Sequence, residues 1–172
     1  MSEEERKTVV CRGLFGEEVE VPLADLRFRP GAYGILFRDD SVLLSRQWED
    51  GWDFPGGGVE IGETILEALV REYKEETGLL VGPVKIIHVE DHFFQPKFDQ
   101  KQHWQSIAIY YLCKYISGEI STEGFVEYEK KYMQEAQWIP IKDIDTLKFY
   151  NHVDSPALIR AAIQEARPLE LD

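Results

Sequence analysis

The sequence is short of several things whose absence narrows the field. Only two of its 172 residues are cysteine, Cys11 and Cys113, and they stand far apart. They supply neither a disulfide framework nor metal-ligand spacing. No apolar run approaches the roughly 20 residues that cross a bilayer, so no membrane span is expected. Linkers rich in Pro, Ser or Gly, internal repeats and low-complexity tracts are missing too, so residues 1–172 read as a single domain. Basic residues are also scarce. Nineteen Lys and Arg against 32 Asp and Glu leave a formal charge of −13, which disfavours binding to a nucleic-acid polymer. Met1 to Lys7 is charged and leads into no apolar targeting segment, so a cytoplasmic protein is expected.

What is present is a globular composition, 44% hydrophobic and 12% aromatic, ample for one core. Residues 8–13 and 17–23 read as strands joined at Phe15-Gly16, and 31–38 and 41–46 as a second hairpin turning at Asp39-Asp40. Glycines and a proline punctuate 51–58 and permit turns but no long element. Long strands are expected at 84–94 and 105–116 and a short one at 136–141. A helical turn from Lys142 and a helix near 155–166 follow. This order suggests a mixed α/β or α+β sandwich rather than a doubly wound sheet.

The strongest helix signal spans 64–78. Thr64 caps it, Glu67 three residues later completes a capping box, and Gly78 stops it. At about 100° per residue with Glu72 at zero, Leu69, Tyr73, Leu66, Thr77 and Val70 form an apolar arc between about 60° and 160°. Glu72, Glu75 and Glu76 share the arc around zero, with small Ala68 beside them. Each like-charge pair there is unfavourable by roughly 0.2–0.5 kcal/mol, and the compensation visible in sequence is Arg71 with Glu75 at i+4. A solvated acidic face is the plain reading. A site for hard divalent cations, which take oxygen ligands and cancel such repulsion, is the chemical one.

The flank favours the second reading. Phe54-Pro55-Gly56-Gly57-Gly58 lets backbone approach a ligand without Cβ interference, and Glu63 adds a fourth carboxylate just before the cap. Gly57, five residues, Glu63, seven residues, then Arg71-Glu72-Tyr73-Lys74-Glu75-Glu76-Thr77-Gly78-Leu79 resembles the signature of the Nudix family at all seven fixed identities. At a typical residue frequency of ~7%, chance would produce these about once in 10⁸ trials. Tyr73 stands where the family usually has an aliphatic residue, which points to altered packing beneath the site.

The resemblance implies a Nudix-type α/β/α sandwich with a mixed sheet, to which this chain adds an N-terminal hairpin at 8–23. It further implies Mg²⁺-dependent hydrolysis of a diphosphate bond in a nucleoside diphosphate derivative, with Mn²⁺ able to substitute. Glu72, Glu75 and Glu76 become the metal ligands, joined by the Gly57 carbonyl. Arg71 orients the carboxylates, and Glu63 does likewise or serves a further water. The general base is left between the signature helix and the later glutamates Glu123, Glu127, Glu129 and Glu135, with Glu135 or Glu129 preferred.

Arg46 is a candidate for a substrate phosphate, equally well read as a surface ion pair. Trp48, Trp52, Phe94 and Trp104 are read as base-stacking residues or core. His88 and His92, four residues apart on a strand, lie roughly 13 Å apart and are taken as structural. Substrates of the family include nucleoside triphosphates, nucleotide sugars or ADP-ribose, and dinucleoside polyphosphates. Pro96 and the extra hairpin lean towards the nucleotide-sugar or ADP-ribose type, and the hairpin towards a homodimer. The rival function is a non-catalytic nucleotide-binding regulator, a type that commonly lacks signature glutamates, whereas all three stand here. Isoprenoid diphosphate isomerase chemistry is less favoured, since Cys11 and Cys113 fit no motif.

Overall fold

The second hairpin forms as its sequence requires. β3 (Leu26–Arg38) and β4 (Ser41–Gln47) are antiparallel, with Arg38 opposite Ser41. Asp39 and Asp40 between them take φ of 49° and 56°, left-handed values that a two-residue turn demands and that Asp tolerates. The computed structural model describes residues 7–13, 16–47, 50–96, 102–127 and 129–167, apart from the Glu129 side chain.

The remaining elements are β1 (Thr8–Gly13), β2 (Glu18–Pro22), β5 (Gly51–Asp53), β6 (Gly56–Gly58), α1 (Ile65–Thr77), β7 (Leu80–Gln95), β8 (His103–Ser117), β9 (Met133–Pro140), β10 (Lys148–Phe149) and α2 (Ser155–Ala166). A 3-10 turn at Ile141–Thr146 follows β9. Strand order is β10-β5-β4-β3-β8-β7-β1-β2, with β6 on β3 and β9 on β4. The sheet is mixed, because β3 with β8, β1 with β7 and β5 with β10 run parallel.

Strands β3, β7, β8 and β9 all start earlier than their sequence suggests, β3 and β7 by the most. β3 carries Pro30 and still pairs with β8 from Leu26↔His103 to Leu36↔Cys113. β7 passes through Pro83 because its register with β8 shifts between Pro83 and Lys85, the irregularity that lets a proline sit in a ladder.

Alternation along β3 divides the core. Ile35 joins Val42, Leu44, Phe54, Ala108 and Tyr110 under Leu158, Ile159 and Ala162 of α2. Ala32 and Leu36 join Leu43, Tyr111 and Cys113 under Leu69 and Tyr73 of α1. Each fully buried Leu or Ile side chain contributes roughly 1.5–3 kcal/mol. The N-terminal hairpin extends the same sheet, pairing Arg12 and Gly13 of β1 with Phe94 and Gln95 of β7 and burying Cys11 and Val21.

The α1 face differs from the wheel. Its buried residues are Ala68, Leu69, Tyr73, Glu76 and Thr77, an arc running from about 320° through zero to 140° at 100° per residue. Leu66, expected inside, is 47% exposed. The helix is rolled so that Ala68 and Glu76 are buried with the apolar residues, because β6 packs against it as well as the sheet. A wheel also records angle and not position along the axis, so it cannot tell which turns lie over the sheet.

Tyr73 is accommodated by Gly34 on β3. A Cβ at Gly34 would stand 2.6 Å from Tyr73 Cε2 and 3.1 Å from Cys113 Sγ. Gly34→Ala is therefore expected to destabilise the fold by about 1–3 kcal/mol through overpacking. Adding Tyr73→Leu should recover part of that loss, a coupling that denaturant unfolding of the two single variants and the double variant measures. Additive losses would show that the two residues do not compete for this space.

Candidate functional site

The site begins with local rules and is completed by distant ones. Thr64 Oγ1 accepts from the Glu67 amide at 3.3 Å, and Glu67 Oε2 accepts from the Thr64 amide at 2.8 Å. Gly78 closes α1 at φ 77°. These ends set the phase of α1, and β6 then meets its acidic side. Gly56 takes φ 144°, a conformation that L side chains rarely adopt, and turns the chain onto α1.

Glu76 is only 6% exposed. Its Oε2 accepts from the Gly56 amide at 3.0 Å and from Ser45 Oγ at 3.2 Å. Glu72 lies against the loop: a Cβ on Gly57 would stand 2.5 Å from its Cδ and 2.6 Å from its Oε2. Burial pushes the Glu72 carboxyl above the usual range, opposed by its bond from Arg71.

Arg71 joins more partners than its i+4 spacing suggests. Nη2 and Nε reach the two Glu63 oxygens at 2.6 and 3.1 Å. Nη1 contacts Glu72 at 2.9 Å and Glu75 at 3.3 Å, and Nη2 also donates to the Gly58 carbonyl at 3.2 Å. Those bonds hold Glu63, which also accepts from the Glu60 amide, below the usual carboxylate range. Among the described residues, no three His, Cys, Asp or Glu side chains are gathered to hold a metal ion. Glu63, Glu72 and Glu75 are turned to one guanidinium, and Glu76 to Ser45 and Gly56.

The other expected residues are spread unevenly around this centre. Ser45 of β4 hydrogen-bonds to Glu76 of α1, while Arg46 beside it lies over the Trp52 ring at 5.7 Å. Glu135 is exposed on β9 and, among the described residues, makes no hydrogen bond or ion pair with α1. Glu127 pairs with Lys130 at 2.9 Å. Glu123 sits in a loop that the structure brings against the end of α1. There the Ser121 amide donates to the Thr77 carbonyl at 3.0 Å, and a Cβ on Gly124 would meet the Glu75 carbonyl at 2.4 Å. Trp48 and the Glu129 side chain lie outside the described residues.

Trp52 is core, but Phe94 and Trp104 belong to a half-buried aromatic wall on β7 and β8. Trp104 and Phe94 are 6.0 Å apart by ring centroids, Phe94 and His152 5.5 Å, and His152 and His92 4.3 Å. Burial depresses both histidines, His92 to about 4, so the rings are neutral at pH 7. Asp53 accepts from the Phe54 amide at 2.7 Å and from Asn151 Nδ2 at 2.9 Å. Burial raises it to about 6. Ser155 Oγ in turn donates to Asn151 Oδ1 at 2.7 Å, tying the glycine loop to the start of α2. Sequence reasoning missed Ser45, Asp53 and His152. None stands in a local motif, so no signal short of the fold could single them out.

The sequence model of the NUDIX domain matches residues 27–161. An ADP-ribose pyrophosphatase of Methanocaldococcus jannaschii is 36% identical over 120 residues, which are 67% of this chain and 64% of that protein. An RNA pyrophosphohydrolase of Halorhodospira halophila is 51% identical over 61 residues, 34% of this chain and 33% of that protein. The chain thus spans a third to under two thirds of the length of these relatives. Among solved structures, an ADP-ribose pyrophosphatase from Streptococcus suis superimposes with a TM-score of 0.61 at 16% identity, covering 81% of this chain and 92% of that one. A MutT NUDIX hydrolase from Burkholderia pseudomallei gives 0.57 at 23%, covering 80% and 98%. These likenesses are of fold.

Proposed function

This chain belongs to the Nudix hydrolase family, and on that premise we propose that it hydrolyses a diphosphate bond in a nucleoside diphosphate derivative, using Mg²⁺ or, in its place, Mn²⁺. The observation that carries the reading is that Glu72 and Glu76 lie against the β6 glycines while Arg71, itself bonded to the Gly58 carbonyl, holds Glu72 and Glu75 beside them. The donor set suits a hard divalent cation, being carboxylate and carbonyl oxygen. Gly57 also leaves beside Glu72 a space that a Cβ would fill. Glu72, Glu75, Glu76 and the Gly57 carbonyl would hold the cation. When bound, it supplies neutralisation of diphosphate oxygens and activation of water.

The chain's own groups do the rest. Ser45 and the Gly56 amide fix the Glu76 carboxylate, and Arg71 holds Glu63, Glu72 and Glu75 in one arrangement by charge-assisted bonds. Water then attacks one phosphorus while the bridging P–O bond breaks. Glu63 and the later glutamates Glu123, Glu127, Glu129 and Glu135 are the candidates for taking the proton, with Glu135 or Glu129 favoured; the loop that carries Glu123 packs on the end of α1 through Ser121 and Gly124. A nucleotide sugar or ADP-ribose is the favoured substrate type, with nucleoside triphosphates next. The M. jannaschii relative named for ADP-ribose supports this by its similarity along two thirds of the chain. The formal charge of −13 weighs against a long RNA.

The test is a panel of nucleotide sugars, ADP-ribose and nucleoside triphosphates with Mg²⁺, scored by released nucleotide and phosphate. At least one should turn over, faster at alkaline pH where the attacking water ionises more fully. Tight binding without turnover, with Mg²⁺ or Mn²⁺, would replace this reading by that of a regulator. Among the described residues, no helix is long and apolar enough to cross a membrane.

A further inference from the structure

Arg29, on β3, takes part in none of the contacts described so far. Its guanidinium lies over the Trp104 ring, 4.6 Å from the centroid. It also crosses Gly58 closely: a Cβ there would stand 2.4 Å from Nη2 and 2.5 Å from Cζ. The carbonyl of the same Gly58 accepts from Arg71, so one glycine is shared by two guanidiniums. The Arg29 charge is felt by Glu72, whose carboxyl it helps to hold down against burial.

The two arginines differ in what their donors do. Arg71 bonds to Glu63, Glu72, Glu75 and the Gly58 carbonyl. Among the described residues, the Arg29 side chain makes no hydrogen bond or ion pair, only the stack on Trp104. Arginine carries five N–H donors in a rigid plane. Stacking fixes that plane and leaves its edge to a ligand beside the carboxylates of α1. Arg38 shows what a stacked arginine is like elsewhere, lying 4.2 Å over Trp138 on an exposed residue away from the glycine loop.

We propose that Arg29 binds the substrate's diphosphate, its planar edge donating to non-bridging phosphate oxygens while Trp104 and the side-chain-free Gly58 hold the plane in place. A fork of this shape suits phosphate, and a lysine would replace it only as a point charge. The inference rests on the diphosphate reading above, but its test needs no turnover.

Calorimetric titration of the folded protein with inorganic pyrophosphate in Mg²⁺ is the measurement. Arg29→Ala should weaken binding on the order of 10- to 100-fold, the scale of hydrogen bonds to a charged group. Arg29→Lys should recover only part of this. Gly58→Ala keeps the arginine but takes its space, and should also weaken pyrophosphate while leaving the melting temperature near that of the wild type. Arg38→Ala removes the same charge and the same kind of stack, and should bind within about twofold of the wild type. Wild-type affinity in both Arg29→Ala and Gly58→Ala, or a wild type that does not bind pyrophosphate, overturns the inference. Binding through Arg29 with no hydrolysis of the panel upholds the inference and removes the hydrolase reading. Hydrolysis with pyrophosphate affinity indifferent to Arg29 does the reverse.

Discussion

Glu76→Gln is expected to lower turnover by more than about 100-fold, a loss that replacing even a neighbour of a metal ligand can approach. The protein should stay folded. Glu76 is buried and accepts from Ser45 and the Gly56 amide, and a glutamine oxygen can accept both bonds. What disappears is the charge. Glu72→Gln should cost activity on the same scale and leave stability equal or higher at neutral pH. The sign follows from its raised carboxyl: such a group binds its proton more tightly folded than unfolded. Its contribution to stability therefore falls as pH rises through the range between the two values, and the uncharged amide has no such dependence. Turnover on the best substrate of the panel, with melting curves with and without Mg²⁺, makes the comparison. Mg²⁺ should raise the wild-type melting temperature by linkage and should do little for Glu76→Gln. Near-normal Mg²⁺-dependent activity in both variants would refute the assignment of these glutamates.

Arg71→Ala is the second change of large effect, and it acts on stability as well as rate. It removes one guanidinium from three carboxylates and a carbonyl, leaving Glu63, Glu72 and Glu75 to repel one another. A fully buried pair broken from one side loses ~3–5 kcal/mol. Arg71 is 29% exposed at its side chain and Glu75 43%, so screening lowers the expected loss to about 2 kcal/mol. For a chain of this length that corresponds to roughly 4–8 °C in melting temperature. Mg²⁺ should close part of the gap, since a cation relieves the same repulsion. Turnover should fall about 10- to 100-fold, the usual range for a residue that orients metal ligands. Arg71→Lys should keep some stability but little of the orientation, because one ammonium cannot span Glu63 and Glu72 with fixed geometry. Unchanged melting and unchanged turnover in Arg71→Ala would mean that the observed network orients nothing.

By itself the sequence determined whatever is settled within a few residues. The ends of α1 lie where Thr64, Glu67 and Gly78 place them, since capping bonds close within one turn. The Asp39-Asp40 turn and α2 likewise follow from local preference and period. The seven signature identities, spaced along one helix and its lead-in, were enough to name the acidic face and the arginine that serves it. Tertiary structure decided what depends on partners far along the chain. The roll of α1 that buries Glu76 and exposes Leu66 comes from β6 packing on it, and a wheel has no knowledge of β6. β3 begins at Leu26 because β8, some 77 residues later in the Leu26↔His103 register, supplies its ladder. Ser45 meets Glu76, Gly34 makes room for Tyr73, and Arg29 comes to lie across Gly58 for the same reason. Each is a contact between elements whose local propensities are indifferent to it, and it exists only once the sheet has set their distance and phase.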